Sequence, residues 1–465
     1  MTIQQSDIAS RPGPKYIAIT DALSDRIRSG DMKPGERLPT HRDLADTLGV
    51  TVATVTRAYK EAISRGLISG EVGRGSFVKE ISREQDTLLE SFPNIEHSIE
   101  ASVDLGPILP AEGEQDALLA KTLKSMADRP DLMQSLLPYT SQPGLLEHHQ
   151  QAGAQWLSRW VPDIDPDRVI ATTGAQQALA LAIMSSASAG EVILAETMAW
   201  FGTRALATSL NVGIEALPMD EEGIIPEALE RACIQHNPRL LICSSNCQNP
   251  TTATMSLARR EAIVDIARRY DLTLVEDGVF DFFADSSLPA LTTLAPERTI
   301  YLSSFSKCIS PAMRIGYMYI PENLFPRIAG YNRAMLICMP RLMLDIATAW
   351  IMDGTAVRLM EWQLSEFSAR RKLARQVFHG VAEIRCTASW VWIDLPEPWT
   401  PSQYVARAGK EGLNVWASEQ FMLGRSAAPP VVRISLGGFG SRDDVIRNLR
   451  KLADCMLETP NSVFG

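Results

Sequence analysis

Residues 301–318 read YLSSFSKCISPAMRIGYM and place a lysine directly after an apolar run and a serine-rich turn. Lys307 lies where the run ends, and Arg314 follows it seven residues later. A lysine beside an apolar strand end is desolvated, which favours the neutral amine that forms an imine with an aldehyde. Arg314 and the hydroxyls of Ser304 and Ser306 are suited to a phosphate dianion. The spacing therefore predicts a nucleophilic amine beside an anion site, the alternative being a solvated surface Lys and Arg.

The segment TTGAQQAL, residues 172–179, is a second candidate anion site. A short apolar run gives way at Gly174 to a helix-forming stretch that begins with Ala175 and Gln176. The unpaired backbone N–H groups at the start of a helix bind anions such as phosphate. A strand–glycine–helix junction is also a common structural feature, so this motif alone leaves both interpretations open.

Two carboxylates end the buried run of LTLVEDGVFDF, residues 272–282. Glu276 and Asp277 lie at its carboxyl end, where a buried carboxylate needs a partner. We expect that partner to be cationic. A pyridinium nitrogen, a neighbouring arginine and a water-filled loop all remain open as interpretations.

An Asn-Pro turn forms the fourth motif, within SSNCQNPTTATMS at residues 244–256. Such a turn can direct the Asn249 amide toward a ring oxygen, although Asn-Pro turns are otherwise ordinary. The four motifs occur in one order over about 140 residues. Their joint occurrence favours a single shared site.

These motifs lie in a region where β-prone and helical segments alternate. The helical patterns include residues 176–186 and 258–270. The predicted strands are residues 169–172, 192–195, 240–244, 272–276 and 299–302. The alternation predicts an α/β domain with a mainly parallel sheet, helices on both faces and ligands at the carboxyl edge of the strands.

The amino-terminal segment has the pattern of a helix-turn-helix. After a first helix over residues 16–29, Thr40 can cap a helix over residues 42–48, and Gly49 turns the chain. Thr51 can then cap a second helix that runs to about residue 65. The residues that meet the packing demands of this motif are Leu44, Ala45, Leu48, Val50, Val55 and Ala58.

A glycine-rich stretch, LISGEVGRGSFV at residues 67–78, predicts a two-stranded wing after these helices. Through GDMKPGERLPTHRDLADTLGV, TVATVTRAYKEAISRGLI and GRGSFV, roughly residues 15–79 resemble the GntR-type winged-helix regulators. The resemblance implies that double-stranded DNA is a partner. It places Thr51, Thr54 and Arg57 in the major groove and Arg42 and Arg74 at phosphate or the minor groove. The alternative is that these residues merely solubilise a small helical bundle.

The order of the four motifs resembles that of the fold-type I aminotransferases, and with the winged helix the whole chain resembles the MocR-type regulators. The resemblance implies an α/β domain with a mainly parallel sheet and a smaller C-terminal α+β part. It implies pyridoxal 5′-phosphate held as an imine on Lys307, with its pyridine nitrogen paired with Asp277 and its 3-oxygen met by Asn249. Its phosphate would be bound by Gly174, Ala175, Gln176, Ser304, Ser306 and Arg314.

Three more residues match functional positions of that family. Trp200 matches the aromatic residue that stacks on the cofactor ring, although a core tryptophan is an alternative. Tyr139 matches the tyrosine that reaches the phosphate of the other subunit, which implies a head-to-tail homodimer. Arg433 matches the arginine that clamps a substrate carboxylate, as the planar guanidinium is suited to do.

The sequence departs from the family pattern at two places. The family places a tyrosine two or three residues after the aspartate that binds the pyridine nitrogen, whereas this chain has Val279 and Phe280. The usual NPTG turn reads NPTT here, which removes the glycine and keeps Asn249. Loss of the phenol puts efficient transamination in doubt more than cofactor binding.

Composition agrees with a multidomain globular protein. The chain has 465 residues, more than a single hydrophobic core usually organises. Charged residues make up 22% of it and hydrophobic residues 45%. Residues 1–80 hold 12 Lys/Arg and 10 Asp/Glu, a net charge of +2, whereas the remainder carries −12. Only the amino-terminal segment is therefore suited to nucleic acid. We predict a winged helix over residues 1–79, a linker over 80–103 and an aminotransferase-like domain over 104–465.

Cysteine and histidine usage gives no sign of a disulfide framework or a metal site. The seven cysteines contain no CxxC pair, which fits reduced thiols and a cytoplasmic protein. No secretory signal or membrane span is expected. The six histidines show no ligand spacing, and we expect the adjacent His148 and His149 to point apart on a helix.

Three functional hypotheses use these features. The first is a PLP-dependent transcription factor that senses an amino compound through an external aldimine formed at the Lys307 site. The second is a PLP-dependent aminotransferase with an appended DNA-binding domain, in which Lys307 moves the α-proton. The third is a constitutive repressor whose large domain only dimerises.

Overall fold

The computed structural model describes residues 14–28, 32–33, 35–64, 68–71, 75–78, 103–136, 147–284, 287–424 and 427–458, together with Asp7 and Pro460. Contacts divide the chain into two compact units, Met1–Glu90 and Ser91–Gly465. The boundary falls inside the predicted linker. Each unit has a hydrophobic core of its own.

The first unit contains three helices and a hairpin: α1 (Lys15–Arg28), α2 (His41–Leu48), α3 (Val52–Ser64), β1 (Ile68–Glu71) and β2 (Gly75–Val78). Thr40 caps α2, because its hydroxyl accepts from the Asp43 backbone N–H. Gly49 ends the helix in the left-handed region at φ 64°. The Thr51 hydroxyl accepts from the Thr54 backbone N–H at the start of α3. The predicted helix-turn-helix is confirmed.

The core of this unit lies between the helices at the predicted positions. Val55 and Ala58 are 0% exposed, and Ala45 is buried where α2 meets α3. The wing is also confirmed, since β1 and β2 pair antiparallel with Ile68 opposite Val78. Arg37 forms a bridge to Phe77 and adds a short third partner to the wing.

The second unit is built on a seven-stranded sheet in the order β4-β12-β11-β10-β9-β5-β6. Strand β12 is antiparallel to β4 and β11, and the other neighbours pair in parallel, so the sheet is mainly parallel as predicted. The strands are β4 (Val169–Thr172), β5 (Val192–Glu196), β6 (Gly213–Leu217), β9 (Leu240–Cys243), β10 (Thr273–Asp277), β11 (Thr299–Ser304) and β12 (Gly316–Tyr319).

Helices cover both faces of this sheet, and apolar residues of the central strands are buried between them. The helices of the large part are α4 (Gln115–Ala127), α5 (Pro130–Ser135), α6 (Glu147–Leu157), α7 (Ala175–Ser186), α8 (Phe201–Ser209), α9 (Pro226–His236), α10 (Leu257–Arg269), α11 (Leu291–Leu294), α12 (Phe325–Met335) and α13 (Arg341–Met352). A small hairpin consists of β7 (Met219–Asp220) and β8 (Gly223–Ile224). No helix among the described residues is both long and apolar enough to cross a bilayer.

The carboxyl-terminal part is the expected smaller α+β layer. Its four-stranded antiparallel sheet has the order β13-β14-β17-β16, and its helices pack on one another. The elements are α14 (Thr355–Phe378), β13 (Ile384–Arg385), β14 (Trp390–Asp394), α15 (Pro401–Lys410), β15 (Leu413–Asn414), β16 (Trp416–Ala417), β17 (Val431–Ser435) and α16 (Arg442–Leu457). Strand β3 (Val103–Asp104) pairs in parallel with β15 and ties the start of the unit to this layer.

Candidate functional site

The amine of Lys307 lies just beyond the carboxyl end of β11. Its Nζ donates a 2.8 Å hydrogen bond to the carbonyl of Ile108. Burial, helped by the nearby charges of Arg433 and Arg314 and opposed by Asp277, lowers the pKa of this lysine to about 8. A larger share of this amine is therefore in the neutral, nucleophilic form near neutral pH than for an ordinary lysine.

Asp277 ends the neighbouring strand β10, and its charge acts on Lys307. Burial raises the pKa of this carboxyl, while a hydrogen bond from the Val279 backbone N–H, 3.1 Å long, and the positive charge of Lys307 lower it. The expectation of a cationic neighbour thus holds for Asp277. The parallel pairing of β10 with β11 brings the two side chains to one edge.

Glu276 has the charge of the buried Arg260 nearby, but its hydrogen-bond partners are neutral. It is 0% exposed and accepts four hydrogen bonds from neutral donors: the Ser245 hydroxyl, the Leu291 backbone N–H, and the backbone N–H and hydroxyl of Thr292. These donors satisfy a buried carboxylate without a cation. We therefore assign Glu276 a structural role, anchoring the start of α11 to β10.

A cradle for an anion forms where β4 passes into α7. Gly174 is the N-cap of α7 and has φ 100°, a conformation that favours glycine. The first turn of the helix therefore has no capping side chain. The Arg314 Nη2 donates to the Thr173 carbonyl at 3.0 Å and lies 3.0 Å from where a Cβ on Gly174 would be. The helix start and the guanidinium thus meet at one point, as the two sequence motifs predict.

Two serines lie beside this cradle at the end of β11. The hydroxyls of Ser304 and Ser306 are 3.1 Å apart, and the Ser306 backbone N–H donates to the Ser304 hydroxyl. Both side chains are buried. Hydroxyls, a guanidinium and a helix N-terminus together form a donor set suited to a phosphate dianion.

Trp200 lies at the start of α8, close to the same cradle. Its Nε1 donates to the Gln176 Oε1 at 3.0 Å, and its ring stacks against Phe201 with centroids 3.7 Å apart. The Gln176 amide in turn donates to the Gly202 carbonyl. Trp200 is thus fixed to the first turn of α7 and is only partly buried.

Arg433 is held in β17 by contacts on several sides. Its Nη1 donates to the Asn249 Oδ1 at 2.6 Å, and its Nη2 donates to the Gly106 carbonyl. The guanidinium lies over the rings of Trp416 and Phe421, at 4.8 and 4.6 Å from their centroids. It is 0% exposed, and burial lowers its pKa to about 9. Its Nε has no hydrogen-bond partner among the described residues, which leaves a donor for an anionic ligand.

The sequence analysis did not identify several residues of the site. The carbonyls of Gly106 and Ile108 contact Arg433 and Lys307 across more than 190 residues of chain. Glu196, at the end of β5, accepts from the Gln248 amide at 3.0 Å, and burial raises its pKa to about 8. A pattern of strand-end polar residues would have identified Glu196, whereas only the folded chain identifies the carbonyls.

The remaining predicted residues belong to the first unit or fall outside the described residues. Tyr139 and Arg74 fall outside the described residues. Thr51 and Thr54 share a 2.8 Å hydrogen bond at the start of α3, and Arg42 is exposed on α2. The exposed Arg57 lies with its guanidinium 4.2 Å from the Tyr16 ring centroid.

Apolar packing is found at the two positions where the family places a tyrosine. Val279 and Phe280 are both buried, and the Phe280 ring packs edge-on against Trp390 with centroids 4.7 Å apart. At these two positions the chain therefore offers apolar contact and no hydroxyl. Asn249 precedes a cis peptide bond to Pro250, and its Oδ1 faces Arg433.

The residues present fit pyridoxal 5′-phosphate. A desolvated amine and a strand-end carboxylate interact at one edge of the sheet, and a glycine with φ 100° opens the helix start beside Arg314. The unpartnered Arg433 Nε provides a further anion contact. An aldehyde, a pyridine nitrogen and a phosphate would each find a complementary group here.

Comparison with known proteins decides the family. Residues 110–446 match the aminotransferase class I and II family, which is more than half of the chain. The chain belongs to that family. Residues 15–78 match the bacterial regulatory proteins of the gntR family, so the chain has the domain combination of the MocR-type regulators.

Related proteins match most of the chain. An uncharacterized HTH-type transcriptional regulator of Bacillus subtilis, YdeF, is 28% identical over 91% of this chain and 90% of its own length. The probable rhizopine catabolism regulatory protein MocR of Rhizobium meliloti is 24% identical over 82% of this chain and 79% of its own length. The fold also matches an archaeal alanine:glyoxylate aminotransferase, with a TM-score of 0.70 and 20% identity over 85% of this chain and 98% of that one.

Proposed function

We propose that this protein is a DNA-binding transcriptional regulator that senses an amino compound at the Lys307 site of its aminotransferase-like unit. The observation that carries the proposal is a desolvated amine, Lys307, whose charge interacts with the strand-end carboxylate Asp277, in a chain that also folds into a winged helix. The relatives YdeF and MocR, which match most of the chain, bear regulator names.

Each residue near Lys307 has a defined part in holding the cofactor. Bound there, pyridoxal 5′-phosphate supplies an aldehyde that condenses reversibly with primary amines. Asp277 would pair with the pyridine nitrogen, Asn249 with the 3-oxygen and Trp200 with the ring face. The phosphate would be bound by Gly174, Ala175, Gln176, Ser304, Ser306 and Arg314. We propose that Tyr139 reaches the phosphate of the other subunit in a head-to-tail homodimer.

Arg433 and Lys307 bind the two ends of an amino acid in this proposal. Arg433 would hold the carboxylate, since its guanidinium is desolvated and has an unpaired Nε. The amino group of the ligand would take the place of the Lys307 amine. An amino compound with a carboxylate is therefore the effector class that we infer.

Residues 103–109 connect ligand binding to the start of the unit. The Gly106 carbonyl accepts from Arg433 and the Ile108 carbonyl accepts from Lys307. A ligand that engages both side chains competes with both carbonyls, and this segment begins where the predicted linker from the winged helix ends. The ligand must bind two arrangements of the segment unequally for a signal to result.

The winged helix supplies the output. We propose that Thr51, Thr54 and Arg57 contact base edges in the major groove, while Arg42 and Arg74 contact phosphate or the minor groove. Arg57 is exposed, and its stacking on Tyr16 fixes the direction of its guanidinium. Arg42 lies on the exposed side of α2.

The second candidate function is an aminotransferase with an appended winged helix. The same Lys307 and Asp277 favour it, because one would move the α-proton and the other would keep the pyridine nitrogen protonated. The burial of Val279 and Phe280, where the family has a tyrosine, weighs against efficient turnover.

The test is a screen of amines and amino acids against the reconstituted protein. We expect a visible absorbance band that borohydride abolishes, that Lys307→Ala lacks and that the surface variant Lys121→Ala retains. A ligand that shifts the band and changes promoter affinity without turnover supports the sensor. Steady amino transfer to a keto acid supports the enzyme instead, and a colourless protein contradicts both.

A further inference from the structure

A cluster of two histidines and an aspartate lies between α6 and α13, outside the cofactor site. His148 and His149 follow the first residue of α6, and Asp345 is on α13, which packs against α6. One ligand atom from each of the three side chains lies within 4.8 Å of the others. The expectation that the two histidines point apart is wrong, because their ring centroids are only 3.9 Å apart.

The contact between His149 and Asp345 is unusual for an ion pair. The Nε2 atom lies 3.0 Å from the Asp345 Oδ1 and interacts with that carboxylate, yet the contact falls short of an aligned hydrogen bond. His149 is 0% exposed, so water does not compensate this nitrogen. This nitrogen and the carboxylate oxygen belong to the group of three ligand atoms that lie within 4.8 Å of one another.

A second layer fixes the orientation of the His149 ring. The Thr348 hydroxyl lies 2.8 Å from the Nδ1 atom and is itself buried. Metal-binding histidines usually have their other ring nitrogen held in this way, because that bond sets the ring angle and the tautomer. Thr348 therefore prepares Nε2 as a ligand atom.

We propose that His148, His149 and Asp345 bind a divalent transition-metal ion of the zinc class. Two imidazoles and a carboxylate are zinc ligands at about 2.0 to 2.2 Å, which in a tetrahedral site separates them by about 3.4 Å. The 3.0 Å distance between the His149 Nε2 and the Asp345 Oδ1 is close to that value. Rotation of the exposed His148 side chain would bring its ligand nitrogen to a similar distance. The site would have three protein ligands, and water would take the fourth position.

Arg341 competes with such an ion. Its Nη2 lies 3.4 Å from the Asp345 Oδ2, one turn earlier on α13. A guanidinium beside the carboxylate repels a dication, and it provides Asp345 with a counter-ion when no metal is bound. Removal of Arg341 should therefore strengthen metal binding at this site, whereas it would weaken an ordinary ion-pair network.

The experiment titrates the full-length, tag-free protein with Zn²⁺ by calorimetry and with Co²⁺ by visible absorbance. We expect one ion per chain, with the Co²⁺ band of a four-coordinate site. His148→Gln and Asp345→Asn are each expected to weaken binding about tenfold or more. Arg341→Met is expected to tighten it. His148 is exposed, so its replacement tests the site without removing core packing.

Two control variants test whether the metal ion binds at another histidine or at a cysteine. His236→Gln removes another histidine paired with a carboxylate, Glu215, and Cys338→Ser removes the one partly exposed thiol among the seven cysteines. Both are expected to bind as the parent does. Failure to bind either ion, unchanged binding in His148→Gln and Asp345→Asn, or loss of binding in Cys338→Ser would each overturn the proposal. A loss with Arg341→Met would also overturn it.

Discussion

The amine of Lys307 determines how the site responds to pH. Burial and the positive charge of Arg433 lower its pKa to about 8, so the nucleophilic neutral form increases as pH rises through that value. The rate at which cofactor-free protein takes up pyridoxal 5′-phosphate should therefore rise with a midpoint near pH 8 and then level off. Stopped-flow absorbance measures this rate.

A variant gives the sign of the electrostatic contribution. Arg433→Gln removes a nearby cation, so the pKa of Lys307 should rise and the midpoint should move to higher pH. Arg129→Gln removes an exposed arginine that pairs only with Asp131, and it should leave the midpoint unchanged. A parent midpoint near 10.5, the ordinary value for lysine, would show that the amine is solvated.

Gly174 is the residue at which backbone conformation matters most for the phosphate. Gly174→Ala forces a side chain into φ 100° and places a Cβ 3.0 Å from the Arg314 Nη2. Strain of about 1 to 2 kcal/mol should weaken cofactor affinity about tenfold. Gly190→Ala is the matched control, because Gly190 has φ 87° with open space around it. Titration of cofactor absorbance should show a loss in the first variant only.

The stability of α2 depends on its cap. The Thr40 hydroxyl accepts from the Asp43 backbone N–H and donates to its carboxylate at 2.7 Å. Thr40→Ala should therefore lower the stability of the winged helix by about 1 kcal/mol. Thr47→Ala, which removes a hydroxyl bonded to the Asp43 carbonyl inside the same helix, should change it by less than about 0.5 kcal/mol.

Hydrogen exchange followed by mass spectrometry suits this comparison, since peptides from α2 and α3 report on the winged helix alone. Faster exchange in Thr40→Ala than in Thr47→Ala is the expected result. Equal exchange in both variants would mean that α2 is held by its buried residues Leu44, Ala45 and Leu48 and that the cap adds little.

At the scale of the whole molecule, charge limits where DNA binds. The net charge of +2 on residues 1–80 stands against −12 on the remainder, so affinity must depend on a few arginines. Arg42→Ala, at a proposed phosphate contact, should reduce the slope of log affinity against log salt by about 1. Arg57→Ala should instead cost about 1 to 3 kcal/mol and relax sequence preference.

Fluorescence anisotropy with labelled promoter DNA between 50 and 200 mM salt, in the range where such slopes are measured, provides the readout. Arg129→Ala, an exposed arginine of the other unit, is the control and should leave both affinity and slope unchanged. If Arg42→Ala leaves the slope intact, α2 does not contact phosphate.

Local sequence patterns determined the secondary structure elements and those parts of the site that lie close together in the chain. The capped α2, the buried Val55, the wing, the glycine before α7 and the Lys307–Arg314 spacing all follow from residues close together in the chain. Backbone conformation, capping and amphipathic periodicity act over a few residues, which is why such features can be read directly. The identity of the family likewise followed from the order of these motifs.

The tertiary structure alone decided which distant groups meet. Arg433 reaches the Gly106 carbonyl over 327 positions, Lys307 reaches the Ile108 carbonyl over 199, and His149 meets Asp345 through the packing of α6 on α13. It also gave Glu276 its neutral hydrogen-bond donors and placed the charge of Arg260 nearby. Strand order and helix packing set these contacts, and both depend on how the whole chain buries its apolar surface, which no short segment encodes.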